Sequence, residues 1–269
     1  MAADLPRPSP TVRAALEEVI ADYGDRIADT LVAMRETGST DPNVLDTAAG
    51  LGNPNAARNY LQFLGAVLEG EMPSYPSLRS RVAGWVRRLR GRLGASLSED
   101  SRSFLDSLIV ALELAASNPD EVAQEEREDA SRSEAVAERV ARGSGVYVYT
   151  YRHYERHPYL LLPDASGTPA MELHLMKVGY TDRGSERVFQ QETSAPEPIQ
   201  WLRFYEAQDG RPVPELEERF HTMLARAGHP RSHPLGRGRP REWFATDVLF
   251  LDELASFLNL RGVGETPTA

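Results

Sequence analysis

Lys177 is the only lysine among 30 basic side chains. It stands near the end of an alternating run, MELHLMKVGYT over residues 171–181, directly before Val178-Gly179. A lysine can give up its proton when buried and an arginine cannot, so the two are not interchangeable at such a position. An earlier run, GVYVYTY over 145–151, puts Tyr147, Tyr149 and Tyr151 on one face and Val146, Val148 and Thr150 on the other. Leu173, Leu175 and Lys177 share a face of the second run. Together the runs read as a β-hairpin that closes on a glycine and leads, through DRGSER, into a short helix bearing Arg187. Farther on, Pro214 opens the helix PELEERFHTMLARAG, with Leu216, Phe220, Met223 and Ala227 as its core stripe. Glu217 and His221 fall one turn apart along the border of that stripe. From there a carboxylate can be aimed at a sheet without being buried. Phosphodiester hydrolysis needs an activated water, a cation against the charge of the transition state, and help for the leaving oxygen. These side chains are of the right types. Taken singly, each also has an ordinary reading: a strand-end lysine on the surface, strand tyrosines in a core.

In order and spacing, Gly145-Val146-Tyr147, then Lys177-Val178-Gly179-Tyr180-Thr181, then Arg187 eight residues beyond the glycine, then Glu217 on a later helix resemble the GIY-YIG nuclease family. The likeness is to the phage-type branch, whose second motif reads KIG-x-T, and it covers residues 143–258 together with the L-E-x-x-F-H and R-E-W-F stretches. It implies an α+β domain with a small, mostly antiparallel sheet flanked by helices, and a metal-dependent DNA endonuclease. In that scheme Glu217 would hold one Mg²⁺ or Mn²⁺ ion and Arg187 would clamp the scissile phosphate. Tyr147 with Lys177 would orient or deprotonate water, and His221 would touch phosphate or metal-bound water. Restriction, phage defence and mobile-element biology are the settings it suggests. The sequence departs from the family in having no clear counterpart of the asparagine that many members carry after the glutamate helix, since Asn259 comes too late. The rival readings are a DNA-binding module of the same fold without turnover, and a partner-binding protein that dimerises through its helical part.

The 269 residues suffice for two domains, and the absence of cysteine excludes disulfides and thiolate zinc sites. No apolar run is long enough to span a membrane and the N-terminus lacks a signal-peptide pattern, so a cytoplasmic protein is expected. A net charge of −10 argues against a nonspecific nucleic-acid coat. Phosphate binding needs local charge, however. Two windows hold no acid: 72–98, with six arginines including Arg87 and Arg88, and 219–241, with six arginines and three histidines. From these windows Arg87, Arg88, Arg231, Arg237, Arg239 and Arg241 are candidate DNA contacts, and Arg237-Gly238-Arg239-Pro240 resembles the core of an AT-hook.

The elements expected around these residues form an all-helical domain over 1–117, a charged helical connector over 118–142, the α+β domain over 143–260 and a disordered tail over 261–269. One long helix is expected from a Thr11 cap to Thr37. The two helices meeting at Gly50-Leu51-Gly52 resemble a helix-turn-helix, with Arg58 facing DNA, or else form an ordinary α-hairpin. A homodimer through the helical domain is a further expectation.

Overall fold

A computed structural model describes residues 4–51, 54–94, 96–157, 159–163, 169–182, 197–207, 210–232 and 242–263. The chain divides into two compact units, residues 1–126 and 127–269. The fold class is α+β: a helical N-terminal region is followed by a small antiparallel sheet with helices. Among the described residues no helix is long and apolar enough to cross a membrane.

The first unit holds α1 (Pro10–Ala21), α2 (Arg26–Thr37), α3 (Pro42–Ala49), α4 (Pro54–Leu68), α5 (Pro76–Leu93), α6 (Glu99–Ala116) and the start of α7 (Pro119–Arg142). Proline opens α1, α3, α4, α5 and α7, where its fixed φ suits the first turn and its missing N–H costs nothing. The single helix expected from Thr11 to Thr37 is two helices. Gly24 adopts φ +78° between them, and Asp25 restarts the chain by accepting from the Ile27 and Ala28 amides at 3.0 and 2.9 Å. The other Asp25 oxygen accepts from Trp85 Nε1 at 2.8 Å, which ties the break into the core. The first cap is Ser9, not Thr11.

In the second unit β1 (Gly145–Tyr151) lies between β3 (Pro169–Thr181) and β4 (Ile199–Ala207), which explains why all seven of its residues are buried. With β2 (Leu160–Pro163) and β6 (Leu260–Val263) at its ends, the order is β2-β3-β1-β4-β6, with β5 (Trp243–Thr246) also on β3 and every pairing antiparallel. The connection between β1 and β3 carries α8 (Arg152–Arg156) and β2 (Leu160–Pro163), and β2 pairs back onto the first part of β3. Residues 261–263, expected in a disordered tail, belong instead to β6, which pairs with β4 and places Gly262 opposite Tyr205. Residues 264–269 lie outside the described residues.

The alternation of β1 and β3 gives the sheet two unlike faces. Val146, Val148, Met176, Val178 and Tyr205 pack beneath α9 (Val213–Arg226) and α10 (Val248–Phe257), against Leu216, Phe220, Leu224 and Leu251. Tyr147, Tyr149, Tyr151, Leu175, Trp201, Phe204 and Trp243 form an aromatic layer against Val136 and Val140 of α7.

Candidate active site

The edge of β3 is where the sequence-predicted groups converge. Strand β5 covers that edge from His174 to Lys177 and stops with Trp243 opposite Lys177. One residue farther, the Val178 amide donates to the Glu242 carbonyl at 2.8 Å. The Val178 carbonyl, pointing to the same side, accepts from His221 Nε2 at 2.9 Å. This bond anchors α9 to the end of the ladder and fixes the tautomer, because a carbonyl can only accept. Glu217, one turn earlier on α9, brings Oε1 to 3.9 Å from the same nitrogen. Lys177 belongs to the tyrosine face, with Nζ 5.4 Å from the Tyr149 ring centre. Its side chain is long enough to reach past the end of β5, where Nζ meets Glu242 Oε2 at 3.0 Å. Groups from the two faces of the sheet therefore meet at the end of the β5 ladder.

Burial pushes the Glu217 carboxyl up to about 7, the Glu242 carboxylate adds to the rise, and Lys177 pulls it partly back. His221 is lowered chiefly by burial and further by Arg231, against the opposing pull of the Val178 carbonyl and Glu242. At neutral pH His221 is accordingly a neutral imidazole with its proton on Nε2 and a lone pair on Nδ1. A carboxyl poised near 7, a neutral imidazole and an ion pair at this end of the ladder are groups that can move protons at physiological pH. Among the described residues no group of three or more His, Cys, Asp or Glu is placed to hold a metal. A hard divalent cation held by the single carboxylate of Glu217 would have to take its remaining positions from water and phosphate oxygens. A cation beside Glu217 would also relieve the unfavourable charge that burial and Glu242 impose there.

Tyr147 lies directly opposite Gly179 in the aromatic layer and is only 3% exposed. Its ring stacks on Tyr149 at 5.9 Å and meets Trp201 edge-on at 5.6 Å. Arg187 lies outside the described residues, as do Arg237, Arg239 and Arg241 with the AT-hook-like stretch. Arg231 is exposed, its guanidinium 5.2 Å from the centre of the Phe244 ring, and its backbone bridges to Phe244 on the outer edge of β5. In the first unit Arg58 donates to Asn55 Oδ1 at 2.8 Å, Arg87 pairs with Glu113, and Arg88 bears electrostatically on Tyr23. The acid-free window 72–98 thus receives acids from elsewhere: Glu121 on Arg79, Glu113 on Arg87 and Asp106 on Arg90. Glu242 is the residue that sequence reasoning missed as a site member. Its only signal was its place at the head of Glu242-Trp243-Phe244, one step beyond a strand.

Residues 146–259 match the T5orf172 domain, a domain family of nuclease-like, DNA-binding character. No curated protein and no solved structure matches the chain. The match corrects the resemblance drawn from the motifs: T5orf172 is a different family from GIY-YIG, for which there is no match. The sheet itself accounts for the misleading glycines. A Cβ on Gly179 would stand 2.6 Å from Tyr147 Cζ and Oη, and one on Gly145 would stand 2.3 Å from the Tyr205 carbonyl oxygen. Glycine at both places is a packing requirement of this aromatic layer, so two short motifs built around those glycines do not by themselves mark a family.

Proposed function

We infer, from a T5orf172-type domain in which Lys177, Glu242, Glu217 and His221 converge at the edge of β3 where its pairing with β5 ends, that this chain is a nuclease acting on DNA, and we propose that it hydrolyses phosphodiester bonds. The observation that carries this reading is the convergence itself: α9 and β3, from opposite faces of the sheet, bring their polar groups to the end of the β5 ladder. A water oxygen bonds to phosphorus as the ester P–O bond breaks with its electron pair going to the leaving oxygen, and the proton that the water gives up through the side chains around Glu242 is returned to that oxygen. Lys177, opposite Tyr149 in the tyrosine row that also holds Tyr147, supplies positive charge at the reacting phosphate. Glu217 is the residue that would hold Mg²⁺ or Mn²⁺, and a bound ion would offset charge on the phosphate oxygens. Arg187 is assigned to the phosphate on the sequence pattern alone, and Arg231 to the DNA backbone beside the site.

The test is nicking of supercoiled plasmid by the full chain with Mg²⁺ or Mn²⁺. Wild type is expected to cut, and Glu217→Ala to lose roughly 100-fold or more of the rate while DNA binding, read by fluorescence anisotropy, persists. A wild type that binds DNA and cuts no substrate with either metal would leave a DNA-binding module without turnover.

A further inference from the structure

Glu242 sits one residue ahead of β5, and its backbone is pinned opposite Val178 by the 2.8 Å bond from that amide. From this anchor its carboxylate reaches Lys177 Nζ at 3.0 Å. The pair is lopsided: the lysine side chain is 9% exposed and the glutamate 41%. A half-exposed carboxylate is thus placed over a nearly buried amine and closes it off from bulk water on that side. The Tyr149 ring, 5.4 Å from Nζ, presents a second partner that stabilises a cation. Among the described residues the charged and titratable groups near Lys177 include Tyr149 from β1, Glu242 from the segment ahead of β5, and Glu217 from α9, which feels its charge. Two carboxyls and an aromatic face are an environment for an ammonium. The same amine as a base would have to stand uncharged against both.

We propose that Lys177 serves the site as a fixed ammonium aimed at a phosphate oxygen, not as an amine that takes a proton from water, and that Glu242 is the positioning residue that holds it there. The role given to Lys177 in the reaction rests on the hydrolase reading above; its geometry with Glu242 does not. Glu242 acts through the lysine: it fixes where the charge of Nζ stands, as a clamp on a flexible four-carbon stem.

The sequence makes both parts separable. With one lysine in the chain, ¹⁵N-lysine labelling gives a single side-chain nitrogen resonance. At pH 7.5 it is expected to be that of a protonated amine protected from solvent exchange. Glu242→Gln should abolish the protection and Glu242→Asp should keep part of it. A neutral amine, or an ammonium indifferent to Glu242→Gln, overturns the proposal whether or not the chain cuts DNA. The second experiment uses the absence of cysteine. Lys177→Cys is alkylated in denaturant, refolded, and carried through nicking assays as two forms, one with a primary aminoethyl group and one with a permanently charged trimethylammonium-ethyl group. The quaternary form is expected to regain part of the roughly 100-fold lost by unmodified Lys177→Cys. Recovery with the primary amine alone overturns the fixed-cation role. A wild type inactive on every substrate refutes the hydrolase reading and leaves the resonance to decide the positioning.

Discussion

Glu217 holds a carboxyl that burial and Glu242 push from an ordinary 4.5 up to about 7, and the sign of its effect on stability follows. A group whose pKa is raised by folding stabilises the fold at pH values below its unfolded pKa, and that contribution is lost as pH rises through the folded value. For Glu217 the window runs from about 4.5 to about 7. His221 works in the opposite sense: burial lowers it, so its contribution is present above the ordinary 6.5 and is lost as pH falls. Comparing Glu217→Gln with wild type isolates the carboxyl, because both chains carry the histidine. In metal-free buffer the variant should melt with wild type near pH 4 and above it by pH 8. The gap should be about 2–4 °C, the equivalent of ~1 kcal/mol once solvent screening is allowed for. Added Mn²⁺ at pH 8 should raise the wild-type midpoint and leave that of the variant in place, since only an ionised carboxylate gains from the ion. A gap that stays flat between pH 4 and pH 8 would mean that Glu217 titrates as an ordinary exposed acid.

Element by element, packing decides what a residue is worth. Gly179→Ala would set a methyl group against the Tyr147 ring, whose neighbours Tyr149 and Trp201 leave it no room to give. Its expected cost is on the order of 1–3 kcal/mol, read as a fall in urea-unfolding free energy. Gly210→Ala, at φ +70° with open space around the added carbon, should cost through backbone strain alone and about 1 kcal/mol. Equal losses in the two variants would remove the ring contact as the reason for glycine at 179. This is also where the sequence was legible and where it was not. The alternating runs of β1, β3 and β4 and the proline-opened helices can be read because their signals are local. The break between α1 and α2 cannot be read from periodicity, because Leu16, Ile20, Tyr23, Ile27 and Leu31 keep one buried stripe straight through it. Strands β2 and β6 are four residues each and owe their form to partners far along the chain, and the meeting of Lys177 with Glu242 depends on where β5 happens to stop. Glu217, His221 and Lys177 could be picked out from residue type and spacing. Glu242 could not, since its one signal, its place ahead of Trp243-Phe244, says nothing of a meeting with Lys177.

At the scale of the whole molecule the question is where an acidic chain, with net charge −10, can hold a polyanion. The basic window of α5 looks suited in sequence, but Arg79, Arg87 and Arg90 each face an acid from α6 or α7, and Arg92 lies 4.8 Å over the Tyr23 ring. The exposed pairs of Arg87 and Arg90 are worth little in stability, yet with the partly buried Arg79–Glu121 pair they cancel the local field that a phosphate would feel. Arg231 differs in place: it is exposed and sits beside Phe244, the strand residue that follows Glu242 and Trp243 at the candidate site. DNA contact is therefore expected to centre on the second unit. Binding of a short duplex, followed by anisotropy across a KCl series, gives a log–log slope that counts neutralised phosphates. Arg231→Ala should weaken binding and reduce that slope by about one, Arg231→Lys should restore the slope because it keeps the charge, and Arg87→Ala should leave the slope unchanged. A loss of slope in Arg87→Ala equal to that in Arg231→Ala would move the DNA contact onto the helical unit, and with it the part of the chain that selects the substrate.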